Sequence, residues 1–248
     1  MSGHSKWATI KHKKAAADAK RGRVFTRVIK EISIAARGGG DPDTNPRLRT
    51  AIAAAKAASM PADNIKRAVQ RGTGQLPGAT IEEAIFEGYG PGGVAILVEV
   101  VTDNRNRTVS ELRHLFEKHG GNFGETGSVA WMFSKRSLIV VPKEKASEDR
   151  LMEIALSAGA EDLRDEDANW SLLSPPDAHE TVLAALRQDG IEPAISDVTM
   201  VPQSQVQLSG KQAEAMLKMN EAIEEHDDVQ NVYANFDIEE KELARLAS

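Results

Sequence analysis

The sequence has no cysteine and few aromatic side chains. None of its 248 residues is cysteine, and only 4% are Phe, Trp or Tyr. The missing thiols exclude disulfide bonds, thiol nucleophiles and thiolate zinc sites, and they fit a reducing cytoplasm. With so few rings, aliphatic side chains and alanine must fill the cores, and the apolar share of 41% is ordinary for that purpose.

Long apolar runs are absent as well. No run approaches the roughly 20 residues that a membrane-spanning helix needs. The polar, basic segment 1–14 lacks the hydrophobic stretch of a signal peptide. We therefore expect a cytoplasmic protein that has no membrane partner.

The net charge of −6 hides a strong asymmetry along the chain. Residues 1–71 contain 16 Lys and Arg against 5 Asp and Glu, a balance of +11. The rest of the chain has 15 bases and 32 acids, a balance of −17. This asymmetry suggests that the N-terminal third meets a polyanion, whereas the acidic remainder repels it. The alternative is a helical domain in which the lysines only keep the surface hydrated and bind no partner.

A helical pattern runs from Val24 to Ala36, with the apolar residues on one side. Four basic residues fall near the opposite pole of the helical wheel: Arg23, Arg27, Lys30 and Arg37. Glu31 is the only acid between Lys20 and Gly40, whereas a solvated face usually mixes signs. The pattern favours an outward-facing cationic stripe that follows phosphates, with a solvated outer face as the alternative.

The segment before this helix is basic and contains one tryptophan. Because it has little periodicity before Ala15, we expect residues 2–14 to form a mobile arm that orders on its partner. Trp7 either stacks on a base or packs the arm against the helices. His4 and His12 lie eight residues apart without further ligands close by, so no metal site is expected. The candidate contacts in this segment are Lys6, Trp7, Lys11, His12, Lys13, Lys14, Lys20 and Arg21.

Two shorter helices are predicted to complete a helical bundle. Asn45 caps the first and Pro46 opens it, whereas the second opens at Pro61 and ends at Gly72. Residues 73–80 are typical of a linker. The bundle adds five candidate phosphate contacts: Arg47, Arg49, Lys66, Arg67 and Arg71.

The acidic remainder alternates predicted strands and helices. Strands are expected at 83–90, 94–102 and 127–133, and a helix at 108–119 capped by Thr108 and Glu111. Residues 138–201 have the order β-α-β-β-α-β, which is complete in itself and ferredoxin-like. A helix at 209–226 and a strand at 229–236 have no partners of their own.

The predicted fold class is therefore α+β. A basic N-terminal helical bundle covers 1–78, and a discontinuous α/β domain covers 79–133 and 205–240. A further α/β domain, 134–204, is inserted in the second. We expect both α/β domains to be ferredoxin-like sandwiches.

Two short motifs lie in the acidic part. Gly88, Gly90 and Gly93 have the spacing of a dinucleotide-binding motif, but a strand follows them, so we predict a hairpin turn. Residues 102–108 lie where a strand gives way to a helix N-terminus, which attracts anions. Arg105 and Arg107 would add positive charge to such an anion site. The alternative is that side chains of this segment only form hydrogen bonds to backbone groups at the turn and at the start of the helix. No other segment suggests catalysis, so we expect no enzyme activity, cofactor or metal.

Five segments match a known family: GHSKWATIKHKKAAADAKRG at 3–22, NPRLRTAI at 45–52, MPADNIKRA at 60–68, EGYGPGGVAILVEVVTDNRNRT at 87–108 and GGNFGETGSVAWMF at 120–133. Together they resemble the YebC-type proteins, which are widespread in bacteria and have mitochondrial relatives that activate translation. The stretch 134–204 matches loosely. Ser59 stands where members often carry asparagine.

The resemblance implies a three-domain architecture without enzymatic activity or a cofactor. Some members are described as DNA-binding transcriptional regulators, and others look like translation factors acting at the ribosome on stalled or difficult messages. We therefore expect a nucleic-acid-binding regulator, with DNA as the first candidate partner and weak sequence preference. The alternative partner is ribosomal RNA, together with ribosomal proteins. The sequence leaves the oligomeric state open.

Overall fold

The computed structural model describes residues 19–77, 80–166 and 168–246. Within these ranges the chain is mixed α/β, and its two four-stranded sheets contain antiparallel pairs. None of the helices in the described ranges has both the length and the apolar character that crossing a membrane requires. The described chain divides into two compact units, one of 19–128 with 211–232 and one of 129–210 with 233–246.

Three helices form the N-terminal part of the first unit: α1 (Ala19–Ala35), α2 (Pro46–Ala57) and α3 (Ala62–Gly72). The side chain of Asn45 accepts a hydrogen bond from the Leu48 amide at 3.0 Å, and Pro46 is the first residue of α2, as predicted. Ile32 of α1 and Leu48 are fully buried in one aliphatic core. The sequence prediction of a small helical bundle is confirmed for the described residues.

The elements that follow are β1 (Glu82–Gly90), β2 (Val94–Thr102), α4 (Arg105–Lys118), β3 (Asn122–Phe123), β4 (Phe133–Pro142), α5 (Glu148–Ser157), β5 (Asp162–Glu166), β6 (Asn169–Ser174), α6 (His179–Gln188), β7 (Ile195–Pro202), β8 (Val206–Gln207), α7 (Gly210–Glu224), β9 (Val229–Ala234), β10 (Phe236–Asp237) and α8 (Glu240–Leu246).

The first sheet has the strand order β3-β1-β2-β9. Strands β1 and β2 form an antiparallel hairpin in which Gly90 pairs with Val94, so the glycine motif is a hairpin turn, as predicted. Strand β9 comes from the end of the chain and lies beside β2. This pairing is what an interrupted domain requires, although the domain boundaries themselves stay predictions.

The second sheet has the order β5-β6-β4-β7 and is antiparallel throughout. Its strands and the helices α5 and α6 follow the predicted order β-α-β-β-α-β. Ile139, Leu172 and Leu186 are almost completely buried where the helices cover the sheet. Strands β8 and β10 form a separate parallel pair.

Two local predictions were wrong. Residues 127–133 do not form a strand, because Gly127 adopts a φ of +88° and donates its amide hydrogen to Glu87 Oε1 at 2.7 Å. A short 3-10 turn follows at Ala130–Met132, and Asn122–Phe123 pairs with β1 instead. The capping box at Thr108 was also wrong, because α4 begins three residues earlier and is capped by the side chain of Asn104.

Candidate functional site

The cationic stripe of α1 faces an acidic turn of the same chain. This acidic turn, Glu224–Asp228, joins α7 to β9. Arg23 Nη1 lies 3.1 Å from Glu225 Oε1, and Lys30 Nζ lies 2.5 Å from Asp228 Oδ1. The prediction that the stripe points outward was wrong for Arg23, Arg27 and Lys30, because the helical wheel separates apolar from polar faces but cannot distinguish water from a charged partner.

Arg27 and Arg37 occupy the same side of the bundle in different surroundings. Burial lowers the pKa of the Arg27 guanidinium, and the nearby Glu224 and Asp227 carboxylates partly oppose that effect. Arg37 is exposed and donates a hydrogen bond to the carbonyl oxygen of Ile81. Of the four stripe residues, only Arg37 is exposed.

Asp228 is the centre of the contact between the bundle and the first sheet. Its side chain is 2% exposed. Besides Lys30, it accepts hydrogen bonds from Thr108 Oγ1 at 2.6 Å and Arg107 Nη2 at 3.1 Å. Burial alone would raise the pKa of the Asp228 carboxyl, but these donors outweigh it and hold the pKa well below its ordinary value.

The polar segment 102–108 is organised around this carboxylate. Thr102 Oγ1 donates to Asp228 Oδ2 at 3.1 Å, and Arg107 bridges Asp228 and Asp103. Arg105 lies over the ring of Phe86, with its guanidinium carbon 5.4 Å from the ring centroid. The Asp228 carboxylate is thus the anion that the N-terminus of α4 attracts. This favours the alternative in which the segment 102–108 forms bonds within the chain and does not bind an anion from solution.

Glu111, His226 and Asp228 bring potential metal-ligand atoms within 4.8 Å of one another. The Asp228 amide donates to His226 Nδ1 at 3.1 Å, so the proton of the neutral ring is on Nε2 and points to Glu111 Oε2 at 2.8 Å. Lys30 and Arg107 supply positive charge at Asp228, where a metal ion would be repelled. The arrangement is a hydrogen-bond chain that holds the acidic turn.

The outer helices of the bundle carry a second group of cations, which we call the exposed cation set: Arg49, Lys56, Lys66, Arg67 and Arg71. Arg49 donates to the carbonyl oxygen of Pro42 and Arg67 to the Asn64 amide oxygen. Across the described ranges, no member of the set forms a salt bridge to an acidic side chain. Arg47 differs, because bonds to Glu31 and Glu83 raise its pKa.

The remaining candidate contacts cannot be placed. Lys6, Trp7, Lys11, His12, Lys13 and Lys14 lie outside the described residues. Lys20 and Arg21 belong to α1, but their side chains also lie outside the description. The acidic turn was not predicted, although its signal is plain: four of the five residues Glu224–Asp228, at the end of a helix, are acidic.

Comparison with known proteins identifies the family. Residues 5–75 match the model described as the TACO1/YebC protein N-terminal domain, and residues 81–236 match the TACO1/YebC second and third domain. The chain belongs to the TACO1/YebC family. The resemblance seen in the sequence is thereby confirmed over both parts of the chain.

Individual TACO1/YebC relatives are similar over their whole length. One from Solibacter usitatus is 64% identical over 100% of both chains, and one from Acidobacterium capsulatum is 63% identical over 98% of both. Each is named "Probable transcriptional regulatory protein". A crystal structure of the conserved hypothetical protein Aq1575 from Aquifex aeolicus shares 46% identity, with a TM-score of 0.75, over 90% of this chain and 92% of that one.

Proposed function

We propose that this protein is a cytoplasmic, non-enzymatic regulator of gene expression that binds nucleic acid, in the first place DNA. The observation that carries the proposal is the exposed cation set on α2 and α3. Elsewhere in the bundle, Arg23, Lys30 and Arg47 are each paired with an acidic side chain. Unpaired surface cations are what a polyanionic backbone requires. The names of the relatives support a regulatory role.

The exposed cation set suits phosphate contacts more than base recognition. Arg67 and Arg71 lie one turn apart on α3, about 6 Å along the axis. Phosphate contacts position a protein on nucleic acid but carry no sequence information directly. We therefore expect weak sequence preference. A footprint in which one DNA site is preferred more than about a thousandfold over random DNA would contradict this expectation.

A second candidate function is an RNA-binding translation factor that docks on the ribosome, in contact with ribosomal RNA and ribosomal proteins. The surroundings of α1 favour it. The apolar side of α1 packs against α2 and α3, and its cationic side is bonded to the acidic turn. Inserting α1 into a major groove as a recognition helix would break the Lys30–Asp228 pair.

The test is cross-linking in living cells, followed by sequencing of the recovered DNA and RNA. We compare the wild type with a bundle variant, Lys66→Glu, Arg67→Glu and Arg71→Glu. The matched control, Lys118→Glu, Lys135→Glu and Lys211→Glu, changes the charge equally at exposed sites outside the bundle. Promoter DNA lost only in the bundle variant supports the first function, and discrete ribosomal RNA positions support the second. Equal recovery from both variants would refute nucleic-acid binding by this surface.

We also infer the finer architecture predicted from the sequence, two ferredoxin-like domains with the second inserted at 134–204. The pairing of β9 with β2 supports it. Replacing 134–204 by a short Gly-Ser linker should leave the remainder folded, with a cooperative urea transition. A remainder that lacks such a transition would contradict the insertion.

A further inference from the structure

A groove of about 650 Å³ lies between α1, the end of α3 and the described residues 74–77 and 80–81. Its volume falls within the range of about 300–1,000 Å³ that is usual for small-molecule and cofactor sites. Gly72 belongs to its wall and lies against α1, where an added Cβ would clash with the Ser33 carbonyl oxygen. The groove adjoins the Asp228 contact, and Thr26, Lys30 and Asp103 line both.

The charged side chains of the groove favour an anion. Arg37 and Arg71 line it, together with Lys30, whose charge is paired with Asp228, against the carboxylate of Asp103. Arg71 is exposed, and no hydrogen bond or salt bridge ties it to another side chain within the described ranges. Arg37 uses one guanidinium nitrogen on the Ile81 carbonyl oxygen, which leaves its other donors available. Guanidinium groups bind phosphate through two parallel hydrogen bonds, so these two arginines suit a phosphodiester.

The remaining wall of the groove combines hydroxyl side chains, those of Thr26, Ser33 and Thr80, with an aliphatic part. Ile29 of α1 and Leu76, Pro77 and Ile81 of the following segment line it. Such a surface packs against the flat face of a base and discriminates little among the four bases. A base in the middle of a duplex is stacked and paired and cannot enter a groove between two helices. The groove therefore fits a nucleotide that is already unpaired.

The Asp103 carboxylate adds a preference between sugars. It lies at the groove and accepts one hydrogen bond from Arg107 at 2.8 Å, which leaves acceptor capacity on its other oxygen. A carboxylate repels phosphate, but it accepts a hydrogen bond from a ribose 2′-hydroxyl, as in dinucleotide sites. Deoxyribose offers no such donor.

We propose that this groove binds one unpaired nucleotide of a single-stranded RNA. Arg37 and Arg71 hold the phosphate, the aliphatic wall contacts the base, and Asp103 accepts the ribose 2′-hydroxyl. This inference rests on the proposed nucleic-acid binding and favours its second candidate, an RNA partner.

The test measures fluorescence anisotropy at low salt with three labelled probes of one sequence: single-stranded RNA, single-stranded DNA and duplex DNA. Two variants of the full chain carry the same charge change on α3, Arg71→Glu in the groove and Lys66→Glu outside it. We expect the wild type to bind the single-stranded RNA most tightly. Arg71→Glu should weaken that binding about tenfold or more, because it removes charged hydrogen bonds to phosphate, whereas Lys66→Glu should weaken it about threefold or less.

A third variant and a cross-link separate the remaining outcomes. Asp103→Asn should reduce the preference for RNA over DNA, and a 4-thiouridine probe should cross-link to the peptides that contain Ile29 or Leu76. Equal losses in Arg71→Glu and Lys66→Glu, or tighter binding of duplex DNA, would overturn the groove and leave the proposed function standing. Failure of the wild type to bind any of the three probes would overturn both.

Discussion

Asp228 is the residue on which the contact between the bundle and the first sheet depends most. It is buried beside Lys30 and Arg107 and bonded to two threonine hydroxyls. A buried ion pair adds little compared with an apolar pair, but removing one partner leaves the other charge uncompensated. Single substitutions here should therefore be costly.

We expect Asp228→Asn to lower the free energy of unfolding by about 3 kcal/mol, because Lys30 then keeps a buried charge without its counter-ion. Urea unfolding at pH 7, followed by circular dichroism, measures the change. Asp227→Asn is the matched control, since that side chain is exposed, and should change the free energy by about 0.5 kcal/mol or less. A similar loss in both variants would contradict the central place of Asp228.

The same carboxylate gives a pH dependence with a defined sign. The pKa of the Asp228 carboxyl is lower in the folded protein than in the unfolded chain. Its contribution to the free energy of unfolding is therefore complete at pH values above the unfolded-state pKa and is lost as the pH falls toward the folded-state pKa. The stability difference between the wild type and Asp228→Asn should be constant from about pH 5 to 7 and shrink below about pH 4. A difference that stays constant down to pH 3 would contradict this assignment.

The backbone of Ser59 is strained, because the C-terminus of α2 places this residue in the left-handed region. It has a φ of +60°, and the amides of Ser59 and Met60 donate to the carbonyl oxygens of Lys56 and Ala55. These bonds define a Schellman motif, whose left-handed position favours glycine and next asparagine. Asparagine, which the resemblance leads us to expect at this position, would suit this backbone better than serine.

Ser59→Gly should raise the free energy of unfolding by about 0.5–1 kcal/mol, and Ser59→Asn by less, because both relieve the left-handed backbone. Urea unfolding of the two variants beside Ser59→Ala tests this. A stabilising alanine would show that the backbone conformation is not the cause.

At the scale of elements, α1 shows what the sequence can and cannot predict. Local signals located the bundle helices, the Asn45 cap and the β1–β2 hairpin, since each depends on neighbouring residues. The partner of Lys30 lies 198 residues away, and no periodicity within α1 reveals it. The strand expected at 127–133 failed for a similar reason, because the amide of Gly127 bonds to Glu87, 40 residues earlier.

Reversing the stripe with Arg23→Glu, Arg27→Glu and Lys30→Glu should therefore destabilise the protein rather than merely abolish binding. The new carboxylates would face Glu225 and Asp228, and like charges at a buried site are costly. We expect a melting temperature at least several degrees below that of the wild type by differential scanning calorimetry.

The Lys66→Glu, Arg67→Glu, Arg71→Glu variant is the control for this experiment, because its three side chains are exposed. Its melting temperature should stay close to that of the wild type. An unchanged melting temperature in the stripe variant would mean that the acidic turn contributes nothing to the fold.

At the scale of the whole molecule, some of the basic residues in the N-terminal third form ion pairs with acidic residues of the same chain. The acidic turn occupies Arg23 and Lys30, so the cations left for a partner are fewer than the balance of +11 in residues 1–71 suggests. The sequence predicted which part of the chain is basic, but only the folded arrangement separates the exposed cation set from the cations that hold the bundle.

The most direct test of nucleic-acid binding by the exposed cation set is the slope of log affinity against log salt. For about five neutralised phosphates, one for each member of the set, we expect a slope of roughly −4.5 on duplex DNA or −3.5 on single strands. In the Lys66→Glu, Arg67→Glu, Arg71→Glu variant the slope should flatten by about two to three, one phosphate contact per residue. The Lys118→Glu, Lys135→Glu, Lys211→Glu control should keep the wild-type slope. Equal slopes in all three proteins would contradict the central claim.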